Sequence, residues 1–187
     1  MLFRAPPLVA HPYLPLFTPA FEDGFACRAV LLRTESLGRI SLASENSLAP
    51  PRIAQSFLAT EKNRRTLRDS VRMVQRLARE PAFASFISAQ LDPASPVTSD
   101  ADLDAHIRAS TGTVRHPLGT CRMGAVDDEE AVVGPDLRVR GTRGLRVVDA
   151  SAMPNMIGGN NNAAVIMIAE HVSDLISGRG PLQAAVI

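Results

Sequence analysis

Apolar positions in the first third of the chain come in short runs separated by turn-forming residues. Cys27 to Arg33 and Leu37 to Ser44 predict two strands with a short connection between them. Arg52 to Leu58, which follows two prolines, predicts a third strand. We expect these strands to form one antiparallel sheet.

The pattern then changes to helical spacing. Thr60 to Arg79 predicts a helix capped by Thr60 and ended by Pro81. Its second face is basic, and we interpret that face as solvated because no aromatic platform for nucleic acid accompanies it. The basic residues are Arg65, Arg68, Arg72, Arg76 and Arg79. Ser99 to Ser110 predicts a further short helix that begins with a capping serine.

The last third contains the longest apolar run. Leu137 to Val139 and Leu145 to Val148 predict short strands, and a buried helix is expected from about Ala163 to Ser177, ended by Gly178. Strands early and helices late predict an α+β fold, an antiparallel sheet with flanking helices.

Two features of this last third are candidates for chemistry. Gly158-Gly159 and three asparagines precede the final helix, whose free N–H groups suit a phosphate, a carboxylate or a ring that gains negative charge. The structural alternative is a well-capped core helix. His116 lies in a turn bounded by proline and glycine, where a neutral imidazole can accept a proton or serve only as a hydrogen-bonded structural residue.

Length and charge narrow the class of protein. The 187 residues carry a net charge of +1, which points to neither nucleic acid nor an acidic partner. Cys27 and Cys121 do not form a zinc pattern; one disulfide between them stays open, and two free thiols of a cytoplasmic protein are the simpler expectation. No run is long enough for a transmembrane segment. We divide the chain into a proline-rich lead-in at 1–24 and a domain at 25–187.

The motifs HPLGTCRMG at His116 to Gly124, VVGPDLRVRGTRGLRVVDAS from Val132 and GGNNNAAVIMIAEHVSDLI from Gly158 resemble the C-terminal portion of the glucose–methanol–choline (GMC) oxidoreductases. LGRISLAS at Leu37 to Ser44 resembles the strand before that family's substrate sheet. The resemblance implies an FAD-dependent enzyme that oxidises CH–OH groups of a small alcohol. It implies the fold of the family's C-terminal, substrate-binding domain.

The resemblance also assigns site residues. It implies that His116 is the catalytic base and that Asn160, which matches the asparagine of choline-oxidising members, is its partner. The segments that would bind FAD are Asp149, Ala150, and the run Asn160, Asn161, Asn162, Ala163. No metal site is implied.

One family feature is missing from the sequence. The dinucleotide-binding turn G-x-G-x-x-G does not occur, because Gly178-Arg179-Gly180 follows a helix instead of a strand. We therefore expect a GMC enzyme without its N-terminal Rossmann FAD domain, so that FAD binding by this chain alone is doubtful. Two alternatives stay open: a flavin-free truncated remnant or binding module without activity, and one half of a split flavoenzyme whose FAD domain is a separate polypeptide.

Overall fold

The fold mixes helices with short antiparallel strands, and the computed structural model describes residues 2–4 and 24–180. The described residues fall into two compact units. The first contains residues up to 31 together with 57–112, and the second contains 32–56 together with 113–180. The predicted α+β class is confirmed. The boundary between 24 and 25 stays a prediction, since residues 5–23 lie outside the described ones.

The strands form two separate two-stranded sheets. In the first unit, β1 (Leu2–Arg4) pairs antiparallel with β2 (Ala26–Arg28). In the second unit, β3 (Arg39–Ser41) pairs antiparallel with β4 (Arg52–Ala54), with Ile40 opposite Ile53. A Cβ on Gly38 would stand 2.5 Å from the Ala54 carbonyl oxygen, so this glycine permits the close approach of the two strands.

The expectation of one sheet with longer strands was wrong. The stretch Cys27 to Arg33 supplies only the end of β2, and it pairs with residues near the start of the chain instead of with Leu37 to Ser44. Alternation of apolar residues indicates an extended segment, but it contains no information on which segment donates the matching hydrogen bonds. Pairing is therefore decided by the packing of each unit.

The helices of the first unit begin where the capping residues predict. In α1 (Glu61–Leu77) the Thr60 side chain accepts a hydrogen bond from the Asn63 N–H. In α3 (Asp100–Ser110) Ser99 accepts from the Asp102 N–H in the same way. Pro81 does not end α1, which stops at Leu77, but begins the short helix α2 (Pro81–Ala84), where its missing N–H costs nothing.

The predicted solvated face of α1 contains one buried cation. The Arg68 side chain is only 10% exposed and its Nη1 donates to both carboxylate oxygens of Asp104 on α3, at 2.9 and 3.0 Å. Its Nη2 contacts Glu61. The interpretation of Arg68 as a solvated residue was wrong, because i, i+4 spacing cannot reveal that a second helix brings carboxylates to this face. Leu103 and Ile107 of α3 are buried beside this network.

The core of the second unit lies under the last helix. Val133, Leu137, Ala152 and Val172 are buried together, with Met123 and Ile168 packed against them. The predicted strands at Leu137 to Val139 and Leu145 to Val148 are isolated bridges, Val133 with Val139 and Arg138 with Arg146. The left-handed backbone at Leu137 (φ 60°) interrupts regular pairing there.

Helix α4 (Asn162–Ile176) has the predicted limits, and Gly178 follows it with φ 66°. The prediction that α4 is buried was wrong for this chain, since Val172 is its one buried residue. Ile166, Met167 and Ile176 are exposed. An apolar run shows that a helix avoids water, but not whether the covering atoms belong to the same unit. None of the helices at 24–180 is both long and apolar enough to cross a membrane.

The core makes a prediction about stability. Leu137 is 2% exposed, so Leu137→Ala leaves a cavity and should lower the free energy of unfolding by about 2–5 kcal/mol. Leu48→Ala, at a residue that is 90% exposed in the same unit, is the matched control and should change it by about 0.5 kcal/mol or less. Urea unfolding followed by circular dichroism measures both, and equal losses would contradict the assignment of the core.

The ion pairs of α1 make a prediction about pH. Hydrogen bonds from Arg68 and Arg64 lower the pKa of Glu61 from its ordinary value of 4.5. A lowered folded-state pKa stabilises the fold above the ordinary value, and that stabilisation is lost as pH falls through the folded-state pKa. We therefore expect Arg68→Gln to unfold at a lower temperature at pH 7 and to lose less stability than the original chain on acidification below about pH 4.5. Thermal melts between pH 7 and 3 measure this, with Arg65→Gln as the exposed control.

Candidate functional site

His116 is held by backbone constraints on both sides. Pro117 confines the backbone of His116 to extended angles, and Arg115 before it adopts the left-handed region with φ 62°. The Arg115 N–H donates to Thr113 Oγ1 at 2.9 Å, which stabilises this strained turn. The His116 side chain is half-buried. The turn therefore fixes the backbone from which the His116 side chain projects, and it leaves part of that side chain exposed to solvent.

The segment after His116 lies along the segment 149–153. The Gly119 N–H donates to the Ala150 carbonyl at 3.4 Å, the Cys121 N–H to Ser151 at 3.0 Å and the Met123 N–H to Ala152 at 2.9 Å. Gly119 has φ 83°, a conformation open to glycine. These three bonds, which we call the 119–152 ladder, place the histidine turn beside the Asp149-Ala150 segment.

Asp149 caps a short 3₁₀ helix (Ala150–Ala152). Its Oδ1 accepts from the Ser151 N–H at 2.7 Å and from the Ser151 hydroxyl at 2.5 Å. Within the described residues Oδ2 has no hydrogen-bond partner, and the side chain is exposed. Asp149 therefore fixes its own backbone with one oxygen and presents the other as an acceptor for a hydroxyl donor.

The three asparagines have different surroundings. Asn160 is exposed, Asn161 is buried and occupies the N-cap position of α4, and Asn162 is the first helical residue. No side chain caps α4: the Asn161 side chain makes no capping hydrogen bond, and only its backbone carbonyl accepts from the Val165 N–H, at 2.9 Å. The first N–H groups of α4 are thus left for another acceptor.

The two glycines before the asparagines also differ from each other in their surroundings. A Cβ on Gly159 would meet nothing within 4 Å, whereas one on Gly158 would lie 3.2 Å from the guanidinium of Arg33. The open backbone at Gly159 permits a flat group to approach the chain closely. The Arg33 guanidinium was missed by sequence reasoning, since it lies more than a hundred residues away and has no motif. Arg115 was also missed, although it directly precedes His116.

The hydrophobic core of the second unit contacts both the 119–152 ladder and α4. Met123 at the end of the 119–152 ladder packs on the cluster that contains Ala152 and Val172, and Ile168 of α4 packs on the same cluster. His116, Asp149, Ala150 and the asparagines therefore belong to one compact unit. Within residues 24–180 no hydrogen bond joins His116 to Asn160, and no three metal-binding side chains come together.

The residues present fit part of an FAD molecule. The uncapped N–H groups at the start of α4 suit the electronegative edge of a flavin ring, and Gly159 leaves its backbone open to a planar group. The free oxygen of Asp149 suits a hydroxyl of a sugar-like chain. These donor and acceptor groups are therefore compatible with part of an FAD molecule.

Comparison with known proteins shows the family of the chain. The family model for GMC oxidoreductases matches residues 34–169. The chain is 39% identical over 164 residues to oxygen-dependent choline dehydrogenase 1 from Chromohalobacter salexigens, and 41% identical over 161 residues to an oxygen-dependent choline dehydrogenase from Klebsiella pneumoniae. These matches cover 88% and 86% of this chain but 29% of each relative. The chain thus spans less than a third of the curated relatives.

A solved structure shows the same fold. The crystal structure of pyridoxine 4-oxidase from Mesorbium loti superimposes with a TM-score of 0.73 at 30% sequence identity. The match covers 86% of this chain and 30% of that one. This chain therefore shares its fold with part of a solved oxidoreductase.

The cap at Asp149 makes a prediction that separates its structural task from its charge. Asp149→Ala removes the acceptor for the Ser151 N–H and should lower the free energy of unfolding by about 0.5–2 kcal/mol. Asp149→Asn keeps a capping oxygen and should lower it by much less. Urea unfolding measures both, with Asp127→Ala, an exposed aspartate of the same unit, as the control. An Asn variant as unstable as the Ala variant would contradict the capping assignment.

Proposed function

The chain belongs to the GMC oxidoreductases and corresponds to their C-terminal domain, and we propose that it forms the catalytic, substrate-side portion of an FAD-dependent enzyme that oxidises a CH–OH group. The 119–152 ladder is the observation that carries the proposal. It places the turn of His116 beside Asp149 and Ala150, two residues whose backbone and carboxylate suit FAD. A histidine used only for structure would not need a strained turn with an accessible ring.

Two residues of the chain act on the substrate in this proposal. An imidazole nitrogen of His116 accepts the proton of the alcohol hydroxyl, and the Asn160 side-chain amide donates a hydrogen bond to the same oxygen. The hydrogen bond from Asn160 orients the alcohol and stabilises the negative charge that develops as the proton leaves. The chemistry that FAD supplies when it is bound is the acceptance of a hydride from the alcohol carbon.

The backbone of the chain holds the cofactor side of the site. Asp149, Ala150 and the segment Asn160 to Ala163 would contact FAD, the last of these through the N–H groups at the start of α4. The substrate is a small alcohol, since choline and pyridoxine, the compounds in the relatives' names, both contain hydroxyl groups. We place the protein in the cytoplasm because both of its cysteines are free thiols.

FAD binding in this proposal requires an FAD-binding portion of a GMC enzyme in contact with the described residues. The exposed apolar side chains of α4 are those that a covering domain would bury. Flavin absorbance tests whether FAD binding requires that portion. It is measured for the chain purified alone, for the chain with added FAD, and for the chain produced together with an FAD-binding portion of a GMC enzyme. Flavin absorbance in the complex supports a catalytic portion that needs a partner. A colourless complex would favour a flavin-free binding module.

The catalytic pair makes a kinetic prediction, measured in the complex with FAD. His116→Ala should slow the reductive half-reaction by roughly 10²- to 10⁴-fold, the range for losing a general base. Asn160→Ala should cost less, about 1–3 kcal/mol, because it removes one positioning hydrogen bond. Anaerobic stopped-flow with the alcohol measures flavin reduction, and flavin absorbance measures bound FAD in each variant.

Two results would contradict this assignment. If His116→Ala reduced its flavin as fast as the original enzyme, His116 would not be the base. If the variant instead lost FAD outright, the histidine would hold the structure of the site. His106→Ala, at the half-buried histidine of α3 in the first unit, is the matched control and should leave the rate unchanged.

A further inference from the structure

An excursion of the chain at 124–131, here called the 124–131 loop, leaves the end of the 119–152 ladder and returns to it. Its base is closed by backbone hydrogen bonds: the Arg122 carbonyl accepts from Val132 N–H at 3.0 Å and Val133 N–H at 3.4 Å, and Gly124 N–H donates to the Val133 carbonyl at 3.2 Å. The loop therefore begins directly after Met123, which donates the last bond of the ladder, and its closing bonds lie on either side of that residue.

Two arginines hold the loop, one that precedes it in the chain and one that follows it. Arg122 makes a bidentate pair with Asp128, Nη1 to Oδ2 at 2.5 Å and Nη2 to Oδ1 at 3.0 Å, and Nη2 also reaches Glu130 at 3.2 Å. Arg140 donates to three backbone carbonyls of the loop, at Asp128, Gly124 and Ala125. We call this set of contacts the Arg122 clasp.

The clasp is tightly fitted at its base. A Cβ on Gly124 would collide with the Asp128 carboxylate and would lie 2.6 Å from the Ala131 Cβ. The bidentate geometry needs a planar guanidinium, which lysine cannot reproduce. The hydrogen bonds from Arg122 also lower the pKa of Asp128 below its ordinary value, which favours the ionised carboxylate.

The position of the clasp suggests a task beyond closing a loop. His116 precedes the ladder and Arg122 lies near its far end, between the last two donors, Cys121 and Met123. A segment held at one end only can slide or rotate about that end, whereas a segment held at both ends has one position. Misplacement of a catalytic group by about 1 Å can cost a hundredfold in rate.

We propose that Arg122 is a positioning residue for His116: through the Arg122 clasp it fixes the far end of the 119–152 ladder and so sets where the imidazole stands. This inference rests on the proposed function of His116. It assigns Arg122 no contact with substrate or cofactor. Asp128 and Glu130 act only through Arg122.

The first measurement uses the chain itself and needs no cofactor. Amide hydrogen exchange is followed by NMR at Cys121 and Met123, the donors on either side of Arg122, and at Val172 N–H in α4 for reference. Arg122→Ala should lose protection at Cys121 and Met123 while Val172 keeps it, and Arg122→Lys should lose less. Asp128→Asn removes the charge that pairs with Arg122 and keeps the shape of the side chain. It therefore tests the clasp even where Arg122→Ala fails to fold.

The second measurement uses the complex with FAD, below the melting temperature of every variant. Arg122→Ala should slow anaerobic flavin reduction at saturating alcohol by about 10- to 100-fold while the dissociation constant of the alcohol stays unchanged. The double variant His116→Ala with Arg122→Ala should be no slower than His116→Ala alone, because Arg122 acts through the imidazole. Arg138→Ala, which breaks an exposed pair with Asp136 in the same unit, should change neither readout.

The outcomes separate this inference from the function on which it rests. Unchanged exchange at Cys121 and Met123 in Arg122→Ala overturns the clasp whatever the kinetics show. Faster exchange with an unchanged reduction rate, or rate losses that add in the double variant, overturns the positioning role while His116 keeps its assignment. A His116→Ala variant with full activity overturns the proposed base and the positioning role, and leaves the exchange result as a property of the fold.

Discussion

The second unit depends on the backbone pairing of residues 119–123 with residues 150–152. Three N–H groups that would otherwise need water or another partner are satisfied by carbonyls of a 3₁₀ turn, which itself is ordered by Asp149. Because Ala152 is buried and Met123 packs beside it, the same pairing also builds the core under α4. Loss of this pairing would separate the histidine turn from the cofactor-side segment and open the core at once.

Arginine side chains have different structural roles in the two units, and each role follows from how buried the arginine is. In the first unit Arg68 lies between two helices and must be paired with Glu61 and Asp104, because an unpaired buried cation is costly. In the second unit Arg122 and Arg140 order a loop that contains four consecutive acidic residues, Asp127 to Glu130. In the same unit the Arg33 guanidinium lies beside Gly158, the first residue of the glycine and asparagine run that leads into α4.

The candidate site could be predicted from the sequence in its residue types and only partly in its arrangement. His116 and Asn160 were chosen from motifs, and the structure places both in one unit, with the roles still to be measured. Local rules gave the extended backbone at His116, since Pro117 requires it. They did not show which asparagine occupies the N-cap of α4, nor that this residue, Asn161, is buried without a side-chain capping bond.

The sequence by itself determined where α1, α3 and α4 begin, the α+β class and the family, because caps, glycine ends and dense motifs are local signals. Tertiary structure decided strand pairing, the burial of Arg68 and the exposure of α4. Each of these depends on which distant segment packs against a given face of a helix or strand. The spacing of apolar residues identifies that face but not the segment that packs on it. The ladder between Cys121 and Ser151 is of the same kind: two turns with no regular pattern meet because their unpaired backbone groups satisfy each other.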